Sequence, residues 1–334
     1  MNEIQVSWKK DLQLAIRSYD ALLKYVGLSE HQEDILGDNA EKIMPTIVPL
    51  SFADQIEKNN INDPLLLQVL PSFQEEEITS NFIDDPLMET KQTPSKGIIY
   101  KYKSRVLFIC NSVCAIHCRY CFRKHFDYTD NRVSKTEWLN KFEYIKDHPE
   151  INEVILSGGD PLLLNDDYIE FFLQNISSIK SVKRIRIHSR IPVILPNRIT
   201  DNLIKIIRKS SVKIIIVIHT NHPNELHGRV KDALEKLQAC SILLNQSVLL
   251  KKVNDTVDVL VQLSEKLFDY GVAPYYIHTL DKVQGCQHFY ISDKEALSIY
   301  LKLQAELPGF LVPKMVKEVP FKPYKVSLSE FLLG

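Results

Sequence analysis

RVLFICNSVCAIHCRYC, residues 105–121, opens as a β-strand and closes as a metal site. Arg105–Cys110 is a short apolar run of the kind that forms a buried strand. Directly behind it, Cys114-x-x-x-Cys118-x-x-Cys121 puts three thiols into eight residues. Six cysteines in 334 residues are too few for a disulfide framework, and three crowded together point to metal binding in a reducing compartment. Thiolates select Fe–S clusters, zinc or Cu(I). A structural zinc site wants four ligands, with Cys110 or His117 on hand as the fourth, whereas three cysteines leave one iron of a [4Fe–4S] cluster open to bind something else.

Outward from that loop the chain repeats itself. Apolar or β-branched runs at Arg105–Cys110, Glu153–Ser157, Arg184–Ser189, Val212–His219, Ile242–Leu250 and Val272–His278 read as six strands. Stretches such as Ser134–Asp147, Asp166–Ile179, Asn224–Ala239 and Asp255–Tyr270 start on capping residues and carry apolar positions three to four apart, so they read as helices. Six βα units predict an α/β fold, a partial (β/α)6 barrel spanning residues 96–306. Residues 1–95 lack strand alternation, hold Pro45, Pro49, Pro64 and Pro71, and predict a helical accessory region. In 307–334, Pro308, Pro313, Pro320 and Pro323 predict a short tail unable to complete two further βα units.

Composition narrows the partners. Lys and Arg number 41 against 42 Asp and Glu, so no net field drives binding to nucleic acid. The N-terminal residues are charged and lack an apolar leader core, and apolar runs such as Ile214–Ile218 are too short to span a bilayer. No membrane association and a cytoplasmic location are expected. Polar groups gather at the predicted strands: the first leads into the cysteines, the second into Ser157-Gly158-Gly159-Asp160, the third into His188-Ser189-Arg190 and the fourth into His219-Thr220-Asn221-His222, while the fifth contains Asn245 and Gln246 and the sixth precedes Asp281. In barrels of this kind those positions form the active site.

The cysteine spacing after a first barrel strand, followed by Ser157-Gly-Gly-Asp160 after the second, resembles the radical S-adenosylmethionine (SAM) superfamily. Further stretches narrow the likeness to the lysine 2,3-aminomutases. They are Cys118-Arg-Tyr-Cys-Phe-Arg123, Ser189-Arg-Ile-Pro-Val, His222-Pro-Asn-Glu, Asn245-Gln-Ser-Val-Leu-Leu and Tyr275-Tyr-Ile-His-x-Leu-Asp281, within a match over about residues 95–330. The Asn62–Pro71 segment and Asp281-Lys-Val-Gln-Gly resemble the bacterial group that makes (R)-β-lysine for elongation factor P.

That resemblance implies a [4Fe–4S] cluster on Cys114, Cys118 and Cys121, with SAM chelating the open iron. It implies SAM contacts at Ser157, Gly158, Gly159, Asp160, His219 and Gln246, the glycines letting backbone approach the methionyl group. It also implies pyridoxal phosphate (PLP) on Lys325, seven residues after Glu318, with Lys314 as second choice and Tyr102, Arg105 and Arg190 nearby. The family's glycine run before this lysine is replaced here by Val319-Pro-Phe-Lys-Pro-Tyr. For L-lysine as substrate, Arg123 is expected at the α-carboxylate and Asp281 with Glu318 at the distal ammonium. Implied partners are an external reductant such as flavodoxin or ferredoxin, and a functional link to elongation factor P and its β-lysine ligase. Self-association into a homo-oligomer is compatible with the pattern.

Overall fold

A computed structural model describes residues 7–28, 38–128 and 133–333. The first six residues of the N-terminal stretch read above lie outside that set. Nine strands form one sheet in chain order: β1 (Ile98–Tyr102), β2 (Arg105–Asn111), β3 (Glu153–Gly158), β4 (Arg184–Ser189), β5 (Lys213–His219), β6 (Ile242–Val248), β7 (Ala273–His278), β8 (Lys314–Lys317) and β9 (Val326–Ser327). From β2 to β8 every neighbour is parallel, while β1 and β9 pair antiparallel at the two edges. The sheet does not close on itself.

All six predicted strands are present, and helices stand on the outer face between them. Lys135–Lys146, Asp166–Ser177, Asp201–Arg208, Val257–Asp269 and Asp293–Glu306 begin behind Ser134, Asn165, Thr200, Thr256 and Ser292, whose side chains each accept a first-turn N–H. The helix expected at Asn224–Ala239 starts only at Gly228, because Pro223–Glu225 is a 3-10 turn capped by His222. Between β2 and its first helix the core is aromatic. Trp138, 1% exposed, lies 4.8 Å from the Phe108 ring and 4.9 Å from Phe172, centre to centre.

The tail does more than the prolines suggested. The helix Asp293–Glu306 returns the chain to β8, a seventh parallel strand beside β7 in which Met315 and Val316 are buried. The four residues of β8, framed by Pro313 and Pro320, are too few to display an alternation, so the strand left no pattern to read.

The described residues before β1 are helical in short pieces: Trp8–Gln13, Tyr19–Val26, Asp38–Ile43 and Leu50–Ala53, with 3-10 turns at Phe73–Glu76 and Glu89–Gln92. Their apolar side chains, among them Leu22, Leu23, Val48, Phe52, Leu65 and Leu66, belong to the same buried cluster as the barrel residues Phe108, Val154 and Ile187. One core therefore serves both. Among the described residues, no helix is long and apolar enough to cross a membrane.

Trp138→Ala should lower the unfolding free energy by about 3–5 kcal/mol through cavity formation at this aromatic junction, read from chemical denaturation. A loss below about 1 kcal/mol would mean that the helix Lys135–Lys146 is not held there.

Candidate functional site

One cavity of about 400 Å³ lies inside the curved sheet and at the carboxyl ends of its strands. The residues for which the family resemblance implies a cluster, SAM, PLP or substrate role line it: Tyr102, Arg105, Cys114, Cys118, Cys121, Arg123, Ser157, Gly158, Gly159, Asp160, Arg190, His219, Gln246, Asp281, Glu318 and Lys325. Lys314 does not; it is exposed at the start of β8.

At one end stand the thiols. Burial pushes the Cys121 thiol up to about 11 and raises Cys114 too, with neighbouring cysteines adding to the effect and Arg123 opposing it. Among the described residues no three His, Cys, Asp or Glu side chains converge as they would around a single metal ion. The two spare ligands of the zinc reading are engaged elsewhere: the Cys110 thiol donates to the Ser157 carbonyl at 3.1 Å and His117 Nδ1 lies 2.6 Å from the Pro45 carbonyl oxygen. Three soft donors on the wall of a roomy cavity suit a polynuclear cluster with one open position.

The glycines are packed against the cysteine loop. A Cβ on Gly158 would sit 2.3 Å from the Asn111 carbonyl oxygen, and one on Gly159 2.4–2.6 Å from the Val113 backbone. What approaches them is the cysteine loop itself, fastened by Gly159 N–H to Asn111 O at 2.7 Å and Asp160 N–H to Val113 O at 2.9 Å. The Asp160 carboxylate is likewise occupied. It accepts from Ser189 Oγ and the Arg190 N–H, both at 2.7 Å, and from the Leu162 and Ile191 N–H groups, so it ties the end of β3 to the end of β4; burial pushes it up to about 6.

Arg190, expected near PLP, points its guanidinium at the cysteines: Nη1 donates to Cys118 Sγ at 2.7 Å. Nη2 donates to Gln68 at 2.8 Å and to Glu225 at 2.9 Å. His219, kept neutral by burial and by Arg190 with its value down at about 3, pairs through Nε2 with the Tyr120 hydroxyl at 2.8 Å. Gln246 Nε2 lies 3.4 Å from His188 Nδ1, while the buried His188 Nε2 has no partner among the described residues.

At the far end are the acids and Lys325. Glu318 forms an ion pair with Lys325, accepts from the Tyr102 hydroxyl at 2.6 Å, and lies 3.5 Å from Lys101. Burial raises the Glu318 carboxyl, but Lys325 and Lys101 outweigh it and hold the group at about 2. Asp281 goes the other way: burial and then the Glu318 charge push it up to about 7. Arg105 stacks on the Tyr102 ring at 4.1 Å. The acids that sequence reading missed, Glu75, Glu89 and Glu225, are buried at 4%, 4% and 1% exposure. Glu225 lay inside a quoted motif, but no spacing rule links these acids to their distant cationic partners.

The radical SAM superfamily model matches residues 108–273, from β2 to the start of β7. An L-lysine 2,3-aminomutase of Escherichia coli (strain K12) is 42% identical over 323 residues, 96% of this chain and 94% of that protein. The L-lysine 2,3-aminomutase of Haemophilus influenzae is 43% identical over 326 residues, 97% of this chain and 96% of that one. That of Clostridium subterminale is 32% identical over 315 residues, covering 94% of this chain and 75% of the relative.

Two outcomes follow from the geometry. Gly159→Ala must displace the Val113 backbone, so iron and sulfide incorporated on reconstitution should fall well below the wild-type level while the far-UV circular dichroism is kept; full loading would mean that the loop yields without consequence. Asp281 holds a proton in the folded chain up to about pH 7 but loses it near 3.8 when unfolded. Between those values unfolding releases that proton, so this group's contribution to stability declines as pH rises and levels off above 7. Asp281→Asn should therefore gain on the wild type in urea midpoint from pH 5 to pH 8; an equal gap at both would remove the assigned shift.

Proposed function

The chain belongs to the L-lysine 2,3-aminomutase family of the radical SAM superfamily, and from that membership we propose that it is an isomerase converting L-α-lysine to (R)-β-lysine. The observation that carries the reading is the lining of a single cavity: three thiols together with Lys325 paired to Glu318, and Asp281 near that pair.

The cluster on Cys114, Cys118 and Cys121 with its SAM would supply a 5′-deoxyadenosyl radical, and PLP on Lys325 would stabilise the radical through which the amino group moves from C2 to C3. The chain's own share is binding, orientation and exclusion of water. Arg190 faces Cys118 with a charged donor that orients the sulfur. Gln246, His219 and His188, whose Nε2 has no partner among the described residues, are polar groups on the cavity wall, suited to orienting SAM and the substrate.

Lys325 in the substrate-free chain is an ammonium paired with Glu318. To hold PLP it must give up a proton and become a neutral amine, while Glu318 stays a carboxylate. Once Lys325 is committed to PLP, Glu318 and Asp281 are left facing the cavity without that cation. The distal ammonium of lysine supplies the missing charge, which is why a cationic substrate suits this pole and an acidic one does not. At the other pole Arg123 offers its guanidinium to the α-carboxylate. Lys101 and Arg105, lining the same wall, are the cations available for the PLP phosphate.

Higher identity to the Escherichia coli and Haemophilus proteins than to the clostridial one supports placing the chain with the shorter relatives. Its product would then feed attachment of β-lysine to elongation factor P by a separate ligase, with electrons from a flavodoxin or ferredoxin. The Asn62–Pro71 segment and Asp281–Gly285 carry that part of the reading.

Lys325→Ala should bind the cluster as the wild type does, yet lose the visible absorption of lysine-bound PLP and at least about a thousandfold of lysine turnover. Persistence of the band with turnover intact would move PLP to another lysine and undo the assignment.

A further inference from the structure

Glu89 has no role in the account so far, although it lines the cavity and is only 4% exposed. A carboxylate at that depth is sustained by cations in contact with it. It takes Arg123 along one edge: Nε donates to Oε2 at 2.8 Å and Nη2 to Oε1 at 3.0 Å. From the other side Lys101 Nζ lies 3.8 Å from Glu89 and 3.5 Å from Glu318, so the carboxylate is held between the arginine and the acidic pole.

A guanidinium is a rigid plane with two edges able to receive a carboxylate in a two-point grip. The Nε–Nη2 edge of Arg123 is spent on Glu89. Among the described residues the Nη1–Nη2 edge meets only the Ser157 hydroxyl, at 3.2 Å from Nη1. The arginine is 6% exposed and lies over the Phe122 ring at 4.7 Å, a stacking that keeps the plane in place but lets it turn within itself unless an edge is held.

We infer that Glu89 is the positioning residue for substrate-carboxylate recognition: it clamps one edge of Arg123 so that the other is presented to the α-carboxylate. This rests on the proposed docking of an α-amino acid at Arg123. It adds a separable consequence. Losing Glu89 should affect ligands that carry a carboxylate and spare those that do not, because a guanidinium free to rotate loses its two-point grip while still neutralising the site.

The test uses the protein loaded with cluster and PLP but without reductant, so that binding is read without turnover. Dissociation constants are measured by calorimetry for L-lysine, for cadaverine, which lacks the carboxylate, and for L-norleucine, which lacks the distal ammonium. Glu89→Gln should weaken L-lysine and L-norleucine about ten- to hundredfold, with cadaverine changed by less than about twofold. Arg123→Gln should reproduce the pattern, and the double variant should be no worse than Arg123→Gln alone. Cadaverine binding also reports that the variant is folded; if Glu89→Gln does not fold, Glu89→Asp, one methylene short, is read in the same way.

Equal weakening of all three ligands, no change for L-lysine, or tighter L-lysine as expected of a rival carboxylate would each overturn the inference. Wild-type protein that binds L-norleucine as well as L-lysine would instead sink the lysine reading, and the contrast between L-norleucine and cadaverine would still decide the role of Glu89.

Discussion

Three thiols cannot be held in a dry cavity among buried arginines unless every cation is matched. The loop that carries the cysteines also carries Arg119, Arg123 and Lys124, all buried or nearly so, and Arg190 reaches it from the end of β4. An uncompensated buried charge costs several kcal/mol, so the fold depends on delivering an acid to each. Glu75 grips Arg119 through two hydrogen bonds at 2.8 and 2.7 Å and also pairs with Lys124. Glu89 grips Arg123, and Glu225 with Gln68 grips Arg190. Two of these three acids, and Gln68, come from the region before β1. That region is thus the socket of the cysteine loop, which explains why its apolar residues are continuous with the barrel core.

The same matching organises the rest of the cavity. Sheet strands in register put Asp160, His188, Arg190, His219, Gln246 and Asp281 at successive strand ends, and the short β8 swings Glu318 and Lys325 across to meet Tyr102 of β1. The open edges of the sheet are thereby bridged by side chains of the site. Charge alternates along the cavity from Arg190 at the thiols, through Arg123 and Glu89, to Lys101, Glu318 and Lys325. A zwitterionic substrate with a second ammonium fits that sequence of signs.

Much of this was written locally. The alternation in β2 to β7, the caps before the helices and the crowding of cysteines are signals within ten or twenty residues, and each predicted strand end did supply a cavity residue. What sequence could not give were pairings between distant segments. Nothing near Glu89 names Arg123, and nothing near Gln68 names Arg190. The glycines at 158 and 159 were legible as special, but their close packing on the backbone of Asn111 and Val113 was not, because that backbone belongs to another loop. Arg190 was placed by its motif near PLP, whereas its contacts run to Cys118. Strand β8 was hidden by its brevity and by the prolines that frame it.

The central claim is that one cavity unites cluster, SAM, PLP and lysine in a single reaction. Protein reconstituted without oxygen and given SAM, PLP, a strong one-electron reductant and L-lysine should yield β-lysine together with 5′-deoxyadenosine, read by mass spectrometry. A fully loaded cluster that produces neither compound would contradict the account.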